Sequence, residues 1–128
     1  MPSYMQGIKG ALVITWGAPR SGREREALEH LEQFLEHLHG RAGKKEFAAP
    51  QFYIATTGNA SEDMGMIVLE GDIEALYGLL FDEQFQHRIT NLSSVAHNFT
   101  TRYYVAGPMA ENARKVYAAA VGKLKATG

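Results

Sequence analysis

The sequence predicts an α+β domain: a four-stranded antiparallel sheet with helices on one face and one further helix after it. Three observations predict it. Strand-like and helix-like segments follow one another in the order strand, helix, strand, strand, helix, strand, helix. Clusters rich in glycine, proline, asparagine and serine separate many of them. The length of 128 residues suits one domain, 1–128, with a core over 7–107 and a helical extension over 108–128.

The first strand is the compact apolar run Gly7 to Trp16, rich in β-branched residues and closed by Gly17 and Pro19. Leu12, Ile14 and Trp16 share one face of it, and Ala11, Val13 and Thr15 the other. Both faces are apolar, as a central strand requires. The first helix is the clearest segment of the chain. Ser21 and Glu24 have capping-box spacing, and Ala27, Leu28, Leu31, Phe34, Leu35 and Leu38 fall within an arc roughly 120° wide. Gly40 is the expected stop, so the helix is placed at Arg23 to His39.

The second strand is read at Glu46 to Ala55. Pro50 cannot donate a ladder hydrogen bond, which places this strand at an edge or on a bulge. Residues 57–63 form a polar hairpin loop, and Met64 to Glu70 the third strand. A short helix follows at Ile73 to Leu80, and Asp82 caps another over Glu83 to Leu92. The last strand is read at Val95 to Ala106, with His97, Phe99, Thr101 and Tyr103 on one face. The final helix, Ala110 to Lys125, carries a stripe of Ala113, Val116, Tyr117, Ala120, Val121 and Leu124.

Composition excludes several functions. With no cysteine there is no disulfide, thiolate metal site or cysteine nucleophile. Net charge is −1, so no global field favours nucleic acid or an anionic membrane. Residues 1–10 have no apolar stretch, and Ala11 to Ile14 is too short for a leader or a span, which makes a cytoplasmic location the expectation. The basic turn Arg41, Lys44 and Lys45 reads as a solvated turn rather than a phosphate-binding patch, and the sequons at Asn59, Asn91 and Asn98 as chance.

Gly17 to Gly22 sits where a phosphate loop would sit, but Arg23 and Glu24 occupy the lysine and hydroxyl positions. At most it offers a weak anion site through Arg20 and Arg23. Glu26, His30, Gln33 and His37 form a column on one flank of the first helix, read as solvated; no metal site is assigned.

The strand order is the split βαβ of ferredoxin-like folds. With Trp16-Gly17-Ala18-Pro19, Glu70-Gly71-Asp72 and the string from Phe81 to Gln86, the chain resembles the dimeric α+β barrel proteins over about Gly7 to Gly107. That superfamily includes monooxygenases acting on aromatic polyketides, haem-degrading enzymes, lactone isomerases and proteins of unknown role. The resemblance implies a homodimer whose two sheets close a barrel. Physics asks for the same thing, because a sheet with helices on one side leaves its other face bare.

A pocket between the sheet and the two crossover helices is expected to take a small apolar or aromatic molecule. His97 is its candidate general base, and Trp16, Arg102 and Tyr103 its candidate ligand-binding residues. Antibiotic-type monooxygenases use an asparagine, a tryptophan and a histidine. Asn98, Trp16 and His97 are present here, but they do not align with those positions, so the roles are not transferred. Cofactor-free oxygenase chemistry is the furthest reach of this reading. The alternative is a non-catalytic dimeric assembly or regulatory module with the pocket packed shut. Haem ligation through His97 has no second signal behind it, and no cofactor is assigned.

Overall fold

The computed structural model describes residues 7–44, 47–59 and 62–127. Residues 1–6, Lys45 of the basic turn, Glu46 at the predicted start of the second strand, part of the 57–63 loop and the side chain of Leu124 lie outside that description.

Strands β1 (Lys9–Trp16), β2 (Gln51–Ile54), β3 (Gly65–Asp72) and β4 (Thr100–Val105) form one sheet in the order β2-β3-β1-β4. Every neighbouring pair is antiparallel. Helices α1 (Glu24–Ala42), α2 (Ile73–Gly78) and α3 (Glu83–Val95) connect them, with a single 3₁₀ turn, Leu79–Phe81, between α2 and α3. Helix α4 (Pro108–Thr127) follows the last strand. This is the predicted α+β, ferredoxin-like architecture.

Strand β1 is central. It pairs with β3 from Lys9↔Asp72 to Trp16↔Gly65 and with β4 from Gly10↔Val105 to Thr15↔Thr100. Its period-two pattern divides the molecule. Leu12, Ile14 and Trp16 point with Ile67 and Leu69 into a core closed by Phe34 and Leu38 of α1, Leu76 of α2, and Phe85 and Leu92 of α3. Phe34 and Phe85 meet edge to face at 5.7 Å, which locks α1 onto α3.

The opposite face carries Ala11, Val13, Thr15, Met66, Val68, Arg102 and Tyr104, none of them buried. Among the described residues, helix α4 does not cover it. Its side chains from Glu111 to Ala120 are all exposed, with Val116 at 64% and Tyr117 at 72%.

Several boundaries differ from the sequence reading, each for a local reason. Ser21 does not cap α1, because the helix begins later, behind Arg23; Glu24 instead reaches back to the backbone N–H of Gly22 at 3.3 Å. Gly40 does not stop it. The helix runs on to Ala42, held by an ion pair from Arg41 to Asp82 and by Ala42 packing against the core. Strand β2 starts only after Pro50, which therefore stays outside the ladder, and it pairs with β3 alone, so of the edge and the bulge it is the edge that is found. Beyond the proline, the Ala48 N–H still donates to the Glu70 carbonyl at 2.9 Å.

The last strand is the largest correction. Val95 closes α3 and is fully buried, and Asn98 takes a left-handed φ of 52°, so β4 cannot begin before that turn. Residues 95–97 pair instead with the segment after β1: Arg20 N–H donates to Val95 O at 2.7 Å, Gly17 N–H to His97 O at 2.6 Å, and His97 N–H to Ala18 O at 2.9 Å.

Asp82 does what its position predicts, and more. One carboxylate oxygen accepts from the Gln84 and Phe85 N–H groups at 2.8 and 3.2 Å, while the other faces Arg41. Asp82→Ala is expected to cost about 2 kcal/mol in chemical denaturation, and Asp82→Asn about half of that, because asparagine keeps the cap but gives up the charge. Equal losses for both would show that the cap contributes nothing.

Candidate functional site

Trp16 is the side chain around which a cavity forms. It ends β1 on the helix-facing side, only 4% exposed, with its ring 5.9 Å from that of Phe52 on β2. The indole lies across β3 because its register partner there is Gly65. A Cβ at Gly65 would stand 2.5 Å from the indole Cζ2, so only glycine leaves room for the ring.

Beside the indole is a cavity of about 370 Å³ between the end of β1, α1 and α3. Ala27, Leu31, Leu92, Ala96 and Pro19 wall it, and Leu28 and Met64 stand half-exposed at its mouth. Glu24 is the one titratable residue lining it, and its carboxylate sits on the exposed start of α1. The cavity can therefore desolvate a flat apolar body and offer one acidic group at the rim.

The other three candidates do not join Trp16. His97 lies in the turn between α3 and β4, its side chain exposed and outside the cavity lining; its backbone makes the bonds to Gly17 and Ala18. Tyr103 points to the helix side but packs on Tyr77 of α2, with ring centroids 4.7 Å apart and its hydroxyl 3.4 Å from the Leu76 carbonyl. Burial, and then Tyr77, push its pKa above the ordinary 10.0, so it stays a neutral clamp between β4 and α2. Arg102 projects from the opposite, open face, across from Val13. Glu70 faces Ala11 on that side, so β1 separates it from Arg102 and the two are not direct cross-strand neighbours.

Two polar features near α1 also differ from expectation. Arg23 is held by Glu26 through two bonds of 2.7 and 2.8 Å, which lower the Glu26 pKa and occupy the guanidinium expected at the weak anion site. The column on α1 is not wholly solvated. Gln33 accepts from Arg88 of α3 at 2.9 Å, and His37 is half-buried in a polar cleft between the two helices. Arg88 of this cleft and the neighbouring Asp82 were not singled out together by the sequence, because only the α1–α3 packing brings them beside His37 and Arg41. Among the described residues, no three His, Asp or Glu side chains gather as a metal-ligand set.

No protein-family profile matches the chain, and no curated protein matches it. Among solved structures it is similar to a dimeric protein of unknown function with a ferredoxin-like fold from Bacteroides fragilis, at 12% identity and a TM-score of 0.59 over 80% of this chain and 100% of that one. It is also similar to a dimeric ferredoxin-like protein of unknown function from Thermobifida fusca, at 13% identity and a TM-score of 0.58 over 82% and 97% of the two chains. At these identities the likeness establishes the fold.

The Trp16–Gly65 contact has a direct test, since Trp16 is the single tryptophan. Gly65→Ala is expected to push the indole out of its seat, shift its emission to the red and destabilise the protein by about 1–3 kcal/mol. An unchanged emission maximum would show that the ring does not depend on the missing Cβ.

Proposed function

We propose that the chain works as a homodimer in which each copy covers the other's open sheet face, and that the cavity beside Trp16 takes a small apolar or aromatic molecule. The observation that carries the binding half is the cavity itself: about 370 Å³, walled by aliphatic side chains and one buried indole, with a single acidic residue at its rim. That volume suits a one- or two-ring molecule. Cofactor-free oxygenase chemistry on such a molecule is the further step of this reading. It would draw its base from Glu24, the titratable residue of the lining, or from His97 brought inward from its turn.

The dimer rests on the bare sheet face. Val13, Met66 and Val68 are only half-buried there, and Tyr53 and Tyr104 are 46% and 47% exposed. Both similar solved proteins are described as dimeric. The second reading, a non-catalytic assembly or regulatory module, is favoured by the same exposed face together with the unpacked apolar side chains of α4. Both readings share the dimer. They part over whether the cavity is used.

Sedimentation of the intact protein at micromolar concentration is expected to give twice the mass of one chain, and Val68→Glu to give a single chain with an unchanged far-ultraviolet circular dichroism spectrum. A wild-type monomer would remove the dimer. For the cavity, 1-naphthol is expected to quench Trp16 emission saturably, and Ala27→Leu, which fills the space from α1, to weaken that binding by at least about tenfold. Quenching that is linear and equal in both proteins would favour the assembly module.

A further inference from the structure

We propose that the cleft between α1 and α3 binds a small tetrahedral oxyanion, such as the phosphate or sulfate group of a metabolite, at a site separate from the Trp16 cavity. The cleft holds about 380 Å³ and brings Arg41, Lys44 and Arg88 around His37 and Gln33, with Glu36 the one carboxylate among its lining residues. The nearby carboxylate of Asp82 is already engaged by Arg41 and by the first N–H groups of α3. With Arg41 set against Asp82, Lys44 and Arg88 still outnumber Glu36 in this cleft, although the whole chain carries a net charge of −1.

Two buried nitrogens in the cleft have no hydrogen-bond partner among the described residues. Arg88 gives Nη1 to Gln33, but its Nε is buried with no hydrogen-bond partner among the described residues. His37 Nε2 is also buried and unpartnered; Asp82 Oδ2 lies 4.0 Å away, too far for a hydrogen bond. A buried donor without an acceptor costs free energy, and an oxyanion reached by a small turn of the Arg88 guanidinium would relieve that cost; His37 Nε2 joins as a donor when it carries a proton. A purely structural account, cations placed to suit the C-terminal dipole of α1, covers Arg41 and Lys44. It leaves out Arg88, which comes from the middle of α3.

His37 reports on the site. It is faced from α1 and its end by Gln33, Glu36, Arg41 and Lys44, and from α3 and its cap by Arg88 and Asp82. Burial first, then the charges of Arg41, Arg88 and Lys44, hold its pKa below the ordinary 6.5. The folded state thus favours neutral imidazole, and acidification through the range below 6.5 works against it. A bound dianion opposes those cations, so it raises the His37 pKa and itself binds more tightly as the pH falls.

The test is a histidine titration by NMR of the intact protein, in sodium sulfate and in sodium chloride of equal ionic strength. Sulfate keeps its charge throughout the range, and the His37 signal is the one lost in His37→Gln. The expected result is a His37 pKa higher by about one unit in sulfate. That difference should vanish in Arg88→Gln and shrink in Lys44→Gln, whose exposed side chain can be changed without loosening the helices. Identical curves in the two salts, or a sulfate effect that survives in the Arg88→Gln/Lys44→Gln double variant, would overturn the site.

Discussion

The structure depends on the two-sidedness of β1. An antiparallel central strand has no freedom in what it shows to each side, since successive side chains alternate and both neighbours fix the register. Leu12, Ile14 and Trp16 are buried, while Ala11, Val13 and Thr15 are not. A slip of one residue would exchange those sets and put the indole on the open side. The helices, the cavity and the bare face all follow from that single register.

Periodicity was the legible part. Strand β1 and the helical face of α1 could be read from residues whose neighbours along the chain decide their fate. Pro50 likewise left an edge or a bulge for the second strand, and its missing N–H falls just outside the ladder of what is an edge strand. The misreadings came where long-range contacts decided instead. Alternation continues backward from β4 through Phe99, His97 and Val95 in the sequence, but Val95 is needed at the end of α3, and the left-handed Asn98 breaks the run. Gly40 reads as a stop signal, yet the pair between Arg41 and Asp82, far apart in sequence, carries the helix past it.

The candidate site shows the same divide. Trp16 was legible as an aromatic at a strand end. What seats it was not, because Gly65 matters only through a cross-strand register. His97, Arg102 and Tyr103 were grouped as residues of one last strand from Val95 to Ala106, but a turn, an open face and an aromatic clamp send them to three different places. The α1–α3 cleft was hidden for the converse reason: Gln33, His37, Arg41 and Lys44 stand out along α1 and its end, but nothing in that sequence reveals that Arg88 of another helix closes over them.

Placement then decides how these features can coexist. Both the apolar cavity and the cationic cleft lie in the helical layer, the first against the end of β1 and the second near the C-terminal end of α1. The surface that needs covering lies on the other side of the sheet. Closing it with a second copy would remove apolar area from water without filling either hollow, and would add stiffness beneath Trp16 through β1 and β3. A partner docked on the helical layer would instead cover the mouths of the cavity and the cleft. The register of β1 thus puts the open face on one side of the sheet and both hollows on the other, so a change to either side need not disturb the other.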